Sequence, residues 1–314
     1  LGFANVNNRS IPVNVHCFAD DNSNYTSVDG GLHFGDGGVP DAEDADIVVH
    51  EYGHAIQDNQ VPGWGPVKNT PQRAMGEGFG DFLAGMASIS KGNPGYQAGG
   101  KYCIGDWDAT AYNPVGPNAG GGCLRWINGR NESTGRDVGQ YAGRVAEEHD
   151  DGRFWSAALT CVYEGMGGTA QARDDVMKLV LQHHFSLLPD SSNNAFDTAV
   201  NALQIADTNL FGGAHKLLIR NCMLQRNLIQ LPTATTPTIT YPAGGEIILP
   251  GSTIDVTWAA NGAPSDTAHR VEYTSECQPR GDFFDNVENG PDGWSTQHAR
   301  GQSNWRIVSD NGHD

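Results

Sequence analysis

The stretch His50-Glu51-Tyr52-Gly53-His54 constrains this chain more than any other part of its sequence. In a helix, positions i and i+4 lie on one face, so His50 and His54 can offer two imidazoles to one metal ion. Glu51 follows the first histidine and would lie beside a water molecule on that ion. Two nitrogen ligands and a carboxylate base are the groups that a hydrolytic zinc site requires. The alternative is an exposed amphipathic helix with two solvated histidines.

A second predicted helix, over residues 72–88, carries the candidate for a third ligand. Two histidines leave a tetrahedral zinc ion one protein ligand short. Gln57 and Gln60 stand where the longer pattern H-E-x-x-H-x-x-G-x-x-H needs glycine and histidine, so that solution fails. We expect Glu77 to supply the ligand instead, the alternative being a solvated helix residue. Asp81, one turn later on the same face, can accept a hydrogen bond from a ligand histidine.

The same predicted helix contains glycine at positions 76, 78, 80 and 85. Each glycine costs a helix up to about 1 kcal/mol relative to alanine. We interpret them as points where another backbone approaches closely; the alternative is a loop with a short helix.

Apolar spacing predicts the remaining elements. Strands are expected at 11–18 and 32–34, and the first helix is expected to begin within 44–46. Four more helices are expected at 154–163, 174–185, 195–210 and 214–228. After a Pro/Thr-rich linker at 231–238, strands are expected at 238–241, 246–249, 253–258 and 270–273.

The pattern predicts an α+β fold with two lobes, followed by β-modules. The first lobe would hold a β-sheet and the active-site helix, and the second would be helical. Predicted boundaries are 1–231 for this domain and 232–281 for a short or partial immunoglobulin-like or fibronectin-like β-module. Residues 282–314 would be the start of a further β-module.

The net charge of −18, with only 19 Lys and Arg, argues against a nucleic-acid partner or an anionic membrane surface. No run approaches 18 uninterrupted apolar residues, so no membrane span is expected. The chain starts at Leu1, and we expect that an upstream signal or pro-segment was removed or lies outside this sequence. We also expect a monomer.

The six cysteines include no C-x-x-C pair. Cys103 and Cys123 bracket a loop rich in Gly, Pro and Asn, and could form a disulfide. The alternative is six buried thiols.

The motifs H-E-Y-G-H and G-E-G-F-G-D resemble those of the gluzincin metallopeptidases, nearest to the thermolysin and fungalysin kinds, over about residues 1–230. The resemblance implies a thermolysin-like two-lobe fold and a secreted zinc-dependent endopeptidase that acts on protein or peptide substrates. It implies that a metal-activated water attacks the peptide bond. It assigns zinc binding to His50, His54 and Glu77, the general base to Glu51, and contact with a ligand histidine to Asp81.

The resemblance extends to residues around the motifs. Asn24 and Tyr25 are similar to the family's substrate-side asparagine and to the edge strand that pairs with extended peptide. His149 resembles a second, non-ligand histidine that stabilises the oxyanion, and Arg125 resembles an arginine that binds a substrate carbonyl. Asp46 stands where thermolysin relatives have a calcium ligand, so Ca²⁺ is a second candidate cofactor. Because Ser88 stands where those relatives place an acidic partner, we expect Asp46 to cap the helix rather than to bind calcium.

Two other functions fit parts of the sequence. In a binding or adhesion protein, the β-modules would carry the function and the metal would be structural. Glu51 argues against this, because a structural site does not need an acid beside its ligand. A gluzincin aminopeptidase would need a group that holds a free amino terminus, and no G-x-M-E-N-like segment is present.

Overall fold

The computed structural model describes residues 2, 6–68, 70–89, 100–111, 122–142, 147–189, 195–230, 238–242 and 254–259, and the strand backbones at 269–274, 281–283 and 304–309. The chain divides into two compact units, Leu1–Gln230 and Leu231–Asp314. The first unit mixes α-helices with small sheets, as expected for an α+β fold. None of the helices in the described part combines the length and hydrophobicity that a membrane span requires.

The predicted helices are all present in the first unit. They are α1 Ala45–Gln60, α2 Pro71–Ile89, α3 Glu148–Gly165, α4 Ala170–His184, α5 Ala195–Phe211 and α6 Lys216–Gln225. Helix α3 begins six residues before the predicted start at 154. The prediction missed its first turn because that turn is polar and shows no apolar periodicity. The Glu147 side chain caps that turn by accepting a 2.9 Å hydrogen bond from the Asp150 amide.

A small sheet packs against α1. Its strands are β1 Val13–Phe18, β2 Ser23–Thr26 and β3 Gly31–Gly35, in the order β1-β3-β2. Strand β3 pairs in parallel with β1 and antiparallel with β2, which leaves β2 at an edge of this sheet. Leu32 and Phe34 of β3 pack with Ile47 and Ala55 of α1 in one buried cluster. The sheet is thereby fixed to the helix that carries the histidine motif.

Asp46 does not cap the start of α1, so the capping role considered for it is wrong. Asp44 is the N-cap, and its side chain accepts a 2.8 Å hydrogen bond from the Asp46 amide. The Asp46 carboxylate instead accepts hydrogen bonds from the Ser88 hydroxyl and, at 3.2 Å, from the Gly105 amide. Asp46 therefore links α1 to α2 and to the segment after β4 Cys103–Ile104.

Glycines let α2 contact both α1 and α3 at backbone distance. A Cβ at Gly78 would lie 2.3 Å from the carbonyl oxygen of Gly152 in α3. A Cβ at Gly80 would lie 2.8 Å from the His50 imidazole, and one at Gly53 would lie 3.1 Å from the Gly80 Cα. The predicted close approach is confirmed, and α2 is a continuous helix rather than a loop with a short helix.

The cysteines form disulfides in the first unit. Cys103 bonds Cys123, as predicted, and Cys161 of α3 bonds Cys222 of α6. The alternative of six buried thiols is therefore wrong. The first disulfide lies beside a short hairpin in which β4 pairs antiparallel with β5 Arg125–Trp126. Cys17 on β1 is the free cysteine of the described residues.

The second unit contains antiparallel strand pairs. Strand β6 Thr238–Tyr241 pairs with β7 Thr257–Ala259, and β8 His269–Thr274 pairs with both β9 Gly281–Phe283 and β10 Asn304–Ser309. The predicted strand at 246–249 and the linker residues 231–237 lie outside the described residues.

We predict that Gly78→Ala destabilises the first unit and that Gly76→Ala does not. The Gly78 position faces backbone, which cannot rotate away, so the added methyl should lower the free energy of unfolding by about 1–3 kcal/mol. At Gly76 the nearest atom is the Gln57 side-chain oxygen at 3.0 Å, which can move. Both variants gain similar helix propensity, so urea unfolding of the pair isolates the contact. Equal stabilities would contradict the close packing of α2 and α3.

Candidate functional site

Helices α1 and α2 bring His50, His54 and Glu77 to one point. The Nε2 atoms of His50 and His54 lie 3.1 Å apart, and each lies 3.3 Å from Oε2 of Glu77. His50 and Glu77 are buried, and His54 is partly buried. The other Glu77 oxygen, Oε1, lies 3.2 Å from Nη2 of Arg73, one helical turn earlier. The three residues that the two motifs supply therefore converge, as their helical spacing requires.

The donor atoms fit a tetrahedral zinc ion. Zinc bonds to imidazole nitrogen and carboxylate oxygen are about 2.0–2.1 Å long, which places neighbouring ligand atoms about 3.3 Å apart. The observed separations of 3.1, 3.3 and 3.3 Å match that value. The nitrogen and oxygen donor set is also one that zinc accepts. These residues could hold the metal without rearrangement of the helices.

Asp81 contacts His50 from the side opposite Glu77. Its Oδ1 lies 2.8 Å from the His50 Nδ1, which leaves Nε2 facing Glu77. Arg125 of β5 binds Asp81 with two hydrogen bonds, from Nε at 2.7 Å and Nη2 at 2.8 Å. Burial opposes the charged carboxylate, but Arg125 and His50 outweigh burial and lower the pKa of Asp81. The arrangement fixes the ring of His50, as a carboxylate behind a ligand histidine does.

Glu51 lies beside this group and is only 5% exposed. Its Oε1 accepts a 2.8 Å hydrogen bond from the hydroxyl of Ser23 on β2, whereas Oε2 has no hydrogen-bond partner among the described residues. One oxygen is thus held and the other is available to a proton donor. Sequence analysis did not identify Ser23, since the contact joins a strand to a helix 28 residues away and leaves no local pattern.

His149, in the first turn of α3, approaches the same Glu77 oxygen as His50 and His54. Its Nδ1 lies 2.7 Å from Oε1 of Glu147, and its Nε2 lies 3.2 Å from Oε2 of Glu77. Desolvation disfavours the charged imidazole, but contacts with Glu147 and Glu77 outweigh it and raise the pKa of His149 to about 10. The side chain remains 44% exposed, so its ring also faces solvent. Two carboxylates therefore contact the imidazole of His149, and Glu147 makes the closer contact.

The residues proposed to bind substrate lie in two places. Asn24 is exposed on β2, next to Ser23 in the chain. The Tyr25 hydroxyl donates a 2.7 Å hydrogen bond to Asp58 of α1, and burial together with Asp58 raises the pKa of Tyr25 to about 12. Arg125 uses Nε and Nη2 to bind Asp81. This contact of Arg125 therefore orients Asp81, which in turn contacts His50.

Comparison with known families gives one match. The sequence model described as fungalysin metallopeptidase (M36) matches residues 40–229, which is more than half of the chain. The matched range includes α1 to α6 and every residue of the site except those on the β1-β3-β2 sheet. A search of curated proteins gives no significant match.

We predict that Asp81→Asn lowers zinc affinity by about tenfold to a hundredfold. The substitution keeps the volume of the side chain but removes the charge that faces His50 and Arg125. Asp174→Asn, at a half-exposed carboxylate on α4, is the control and should leave affinity unchanged. Competition with a chromophoric chelator measures the affinity, and circular dichroism checks folding. Wild-type affinity in folded Asp81→Asn protein would show that Asp81 does not support the ligand.

Proposed function

Because the chain belongs to the fungalysin metallopeptidase family, we propose that it is a zinc-dependent endopeptidase that cleaves internal bonds of protein or peptide substrates. The observation that carries the proposal is a buried carboxylate, Glu51, which follows His50 in the chain and acts electrostatically on it, while donor atoms of His50, His54 and Glu77 converge. A structural metal site has no use for such a group, which has one oxygen held and the other without a described partner. We propose residues 1–231 as the catalytic domain.

In this proposal His50, His54 and Glu77 hold the zinc ion. When bound, zinc supplies Lewis-acid chemistry, which acidifies a water molecule and polarises the substrate carbonyl. Support comes from the separations among the three donor atoms, which suit tetrahedral zinc. Asp81 and Arg125 keep the His50 ring in place. Arg73 forms an ion pair with the second oxygen of Glu77, Oε1.

Glu51 is the proposed general base. Its Oε2 would take the proton of the attacking water and could then pass it to the leaving amine. The hydrogen bond from Ser23 to Oε1 holds the carboxylate and leaves Oε2 without a partner among the described residues. Deep burial keeps bulk water from competing for that oxygen.

His149 is the proposed oxyanion donor. Attack on a peptide carbonyl places negative charge on its oxygen, and an imidazolium N–H across the cleft would stabilise that charge. Support comes from the contact of Nδ1 with Glu147, which leaves Nε2 directed toward the ligand set. The raised pKa of His149 favours the protonated ring at neutral pH.

Substrate binding is proposed for β2 and β5. Strand β2 is an edge of its sheet and carries Ser23 against Glu51, so an extended peptide pairing with this edge would pass the general base. Asn24 and Tyr25 are the proposed substrate residues on β2. Arg125 of β5 is proposed to bind a substrate carbonyl in addition to Asp81.

We further propose that the enzyme is secreted and monomeric and that residues 232–281 and 282–314 belong to β-modules outside the catalytic domain. Two disulfides support an extracellular location. The antiparallel strand pairs of the second unit support the β-modules. An adhesion protein with a structural metal, or an aminopeptidase, would be the alternative functions.

We predict that Glu51→Gln retains zinc and loses at least about a hundredfold in peptidase activity. Glutamine keeps the shape of the side chain but cannot accept a proton at neutral pH. Casein hydrolysis and metal content are measured on the same preparations, with and without a chelator. Glu132→Gln, an exposed carboxylate, serves as the control. Turnover near the wild-type rate in zinc-loaded Glu51→Gln would exclude Glu51 as the base.

We predict that His149→Ala lowers kcat and kcat/KM together, by about a hundredfold to a thousandfold. An interaction made only in the transition state affects both parameters, whereas a substrate-binding residue mainly changes KM. His16→Ala, at an exposed histidine on β1, is the control. Zinc content is measured as well, because His149 contacts Glu77. Activity within about threefold of the wild type would place the oxyanion donor elsewhere.

A further inference from the structure

A second group of carboxylates shares no residue with the proposed zinc site, although Glu51 is near enough to act electrostatically on Asp41. Oxygens of Asp21, Asp41 and Asp108 all lie within 4.8 Å of one another. Asp21 follows β1, Asp41 opens the short 3-10 helix Asp41–Glu43 before α1, and Asp108 opens the 3-10 helix Asp108–Thr110 after β4. Three separate segments of the chain therefore direct acidic side chains to one point.

This group is too buried to be an ordinary solvated acidic surface. Asp41 is 3% exposed and Asp108 is 4% exposed, whereas Asp21 faces solvent. Burial and the neighbouring carboxylates, first Asp108 and then Asp21, raise the pKa of Asp41 to about 7. None of the hydrogen bonds and ion pairs formed in the described part of the chain involves the Asp41 carboxylate. A buried charge of this kind requires a cation or a proton.

Two nearby aspartates show how a buried carboxylate is satisfied without a cation. Asp44 accepts hydrogen bonds from the amides of Asp46 and Asp108, at 2.8 and 3.0 Å. The Asp46 carboxylate accepts hydrogen bonds from the Ser88 hydroxyl and the Gly105 amide. No such donor reaches Asp41 from the described residues. The backbone around it is therefore arranged differently from the backbone around its acidic neighbours.

We propose that Asp21, Asp41 and Asp108 bind one calcium ion at a site separate from His50, His54 and Glu77. Carboxylate oxygens alone are the donors that hard cations prefer, and Ca²⁺ at 2.3–2.6 Å from its ligands allows oxygens to lie up to about 5 Å apart. Water on the solvent side of Asp21 would complete the coordination of the ion. The Asp21 backbone packs closely against Gly37, where an added Cβ would lie 2.3 Å from the Asp21 amide nitrogen.

The site would join three segments around the start of α1. Calcium would tie the turn after β1 and the segment after β4 to the residues immediately before that helix. Binding to the folded state alone raises the melting temperature of a protein. The main effect expected of this ion is thus on stability, and it does not depend on the proposed peptidase activity.

The test uses zinc-saturated, calcium-free full-length protein and measures terbium luminescence with calcium as the competitor. Trp107, adjacent to Asp108 and 51% exposed, is placed to sensitise terbium. We expect saturable calcium binding and a rise in melting temperature of roughly 5 °C. Asp41→Asn and Asp21→Asn should each weaken calcium binding at least tenfold. Asp29→Asn, in an exposed turn, should not change it.

The melting temperature in calcium-free buffer shows whether Asp41 binds calcium or only contributes to packing. In calcium-free buffer Asp41→Asn should melt no lower than the wild type, because it removes a buried repulsive charge. Its melting temperature should no longer respond to calcium. The exposed Asp21→Asn variant carries little risk of misfolding and repeats the binding measurement. Wild-type protein that binds no calcium, or unchanged affinity in both variants, would overturn the proposal. Loss of binding in Asp46→Asn alone would place the ion at Asp46 and also overturn it.

Discussion

The backbone contact between α2 and its two neighbouring helices is the constraint on which the site depends. Helix axes usually lie about 8–10 Å apart, and the side chains at the contact set the distance, so larger residues in α2 would move the helices apart. Glu77 could not then reach both imidazoles at 3.3 Å. Gly80 lies next to the His50 ring, and Gly78 lies against Gly152. Because neither residue has a Cβ, no methyl group keeps the helices apart at these points. The helix loses intrinsic stability at each glycine, and the packed arrangement offsets that loss through the buried side chains around α2.

Charge compensation explains why buried carboxylates can occupy this centre. Glu77 faces His50, His54, His149 and Arg73. Burial would raise its pKa, but the three histidines outweigh burial and hold the pKa well below the usual value. Asp81 lies between His50 and Arg125. The group around Asp41 has the opposite character, since the charged groups that act most strongly on it are all carboxylates. The first unit therefore presents two environments: one with nitrogen and oxygen donors at tetrahedral spacing, and one with oxygen donors alone.

Much of the fold and of the candidate ligand set was predictable because it follows from helical periodicity. His50 with His54, and Glu77 with Asp81, are four residues apart, so each pair is defined within a single helix. The Ser23 contact with Glu51 and the choice of Asp81 as partner for Arg125 depend on how strands and helices pack, which local sequence does not encode. Strand β2 was indicated only by the family resemblance of Asn24 and Tyr25, because its Ser-Asn-Tyr-Thr sequence shows no alternating apolar pattern. The early start of α3 was missed for a similar reason, since its first turn is held by a cap and not by an apolar face.

The position of α1 is determined by contacts at its two ends as much as by the site in its middle. At the start, Asp44 caps the helix and also accepts a hydrogen bond from the Asp108 amide. This second hydrogen bond joins α1 to the segment after β4. Near the end, Gln60 donates a 3.0 Å hydrogen bond to the Leu181 carbonyl of α4. His50 and His54 lie between these anchors, and a metal site tolerates ligand displacements of only about 0.5 Å. The contacts at both ends of α1 therefore help to hold His50 and His54 in position, although they touch neither residue.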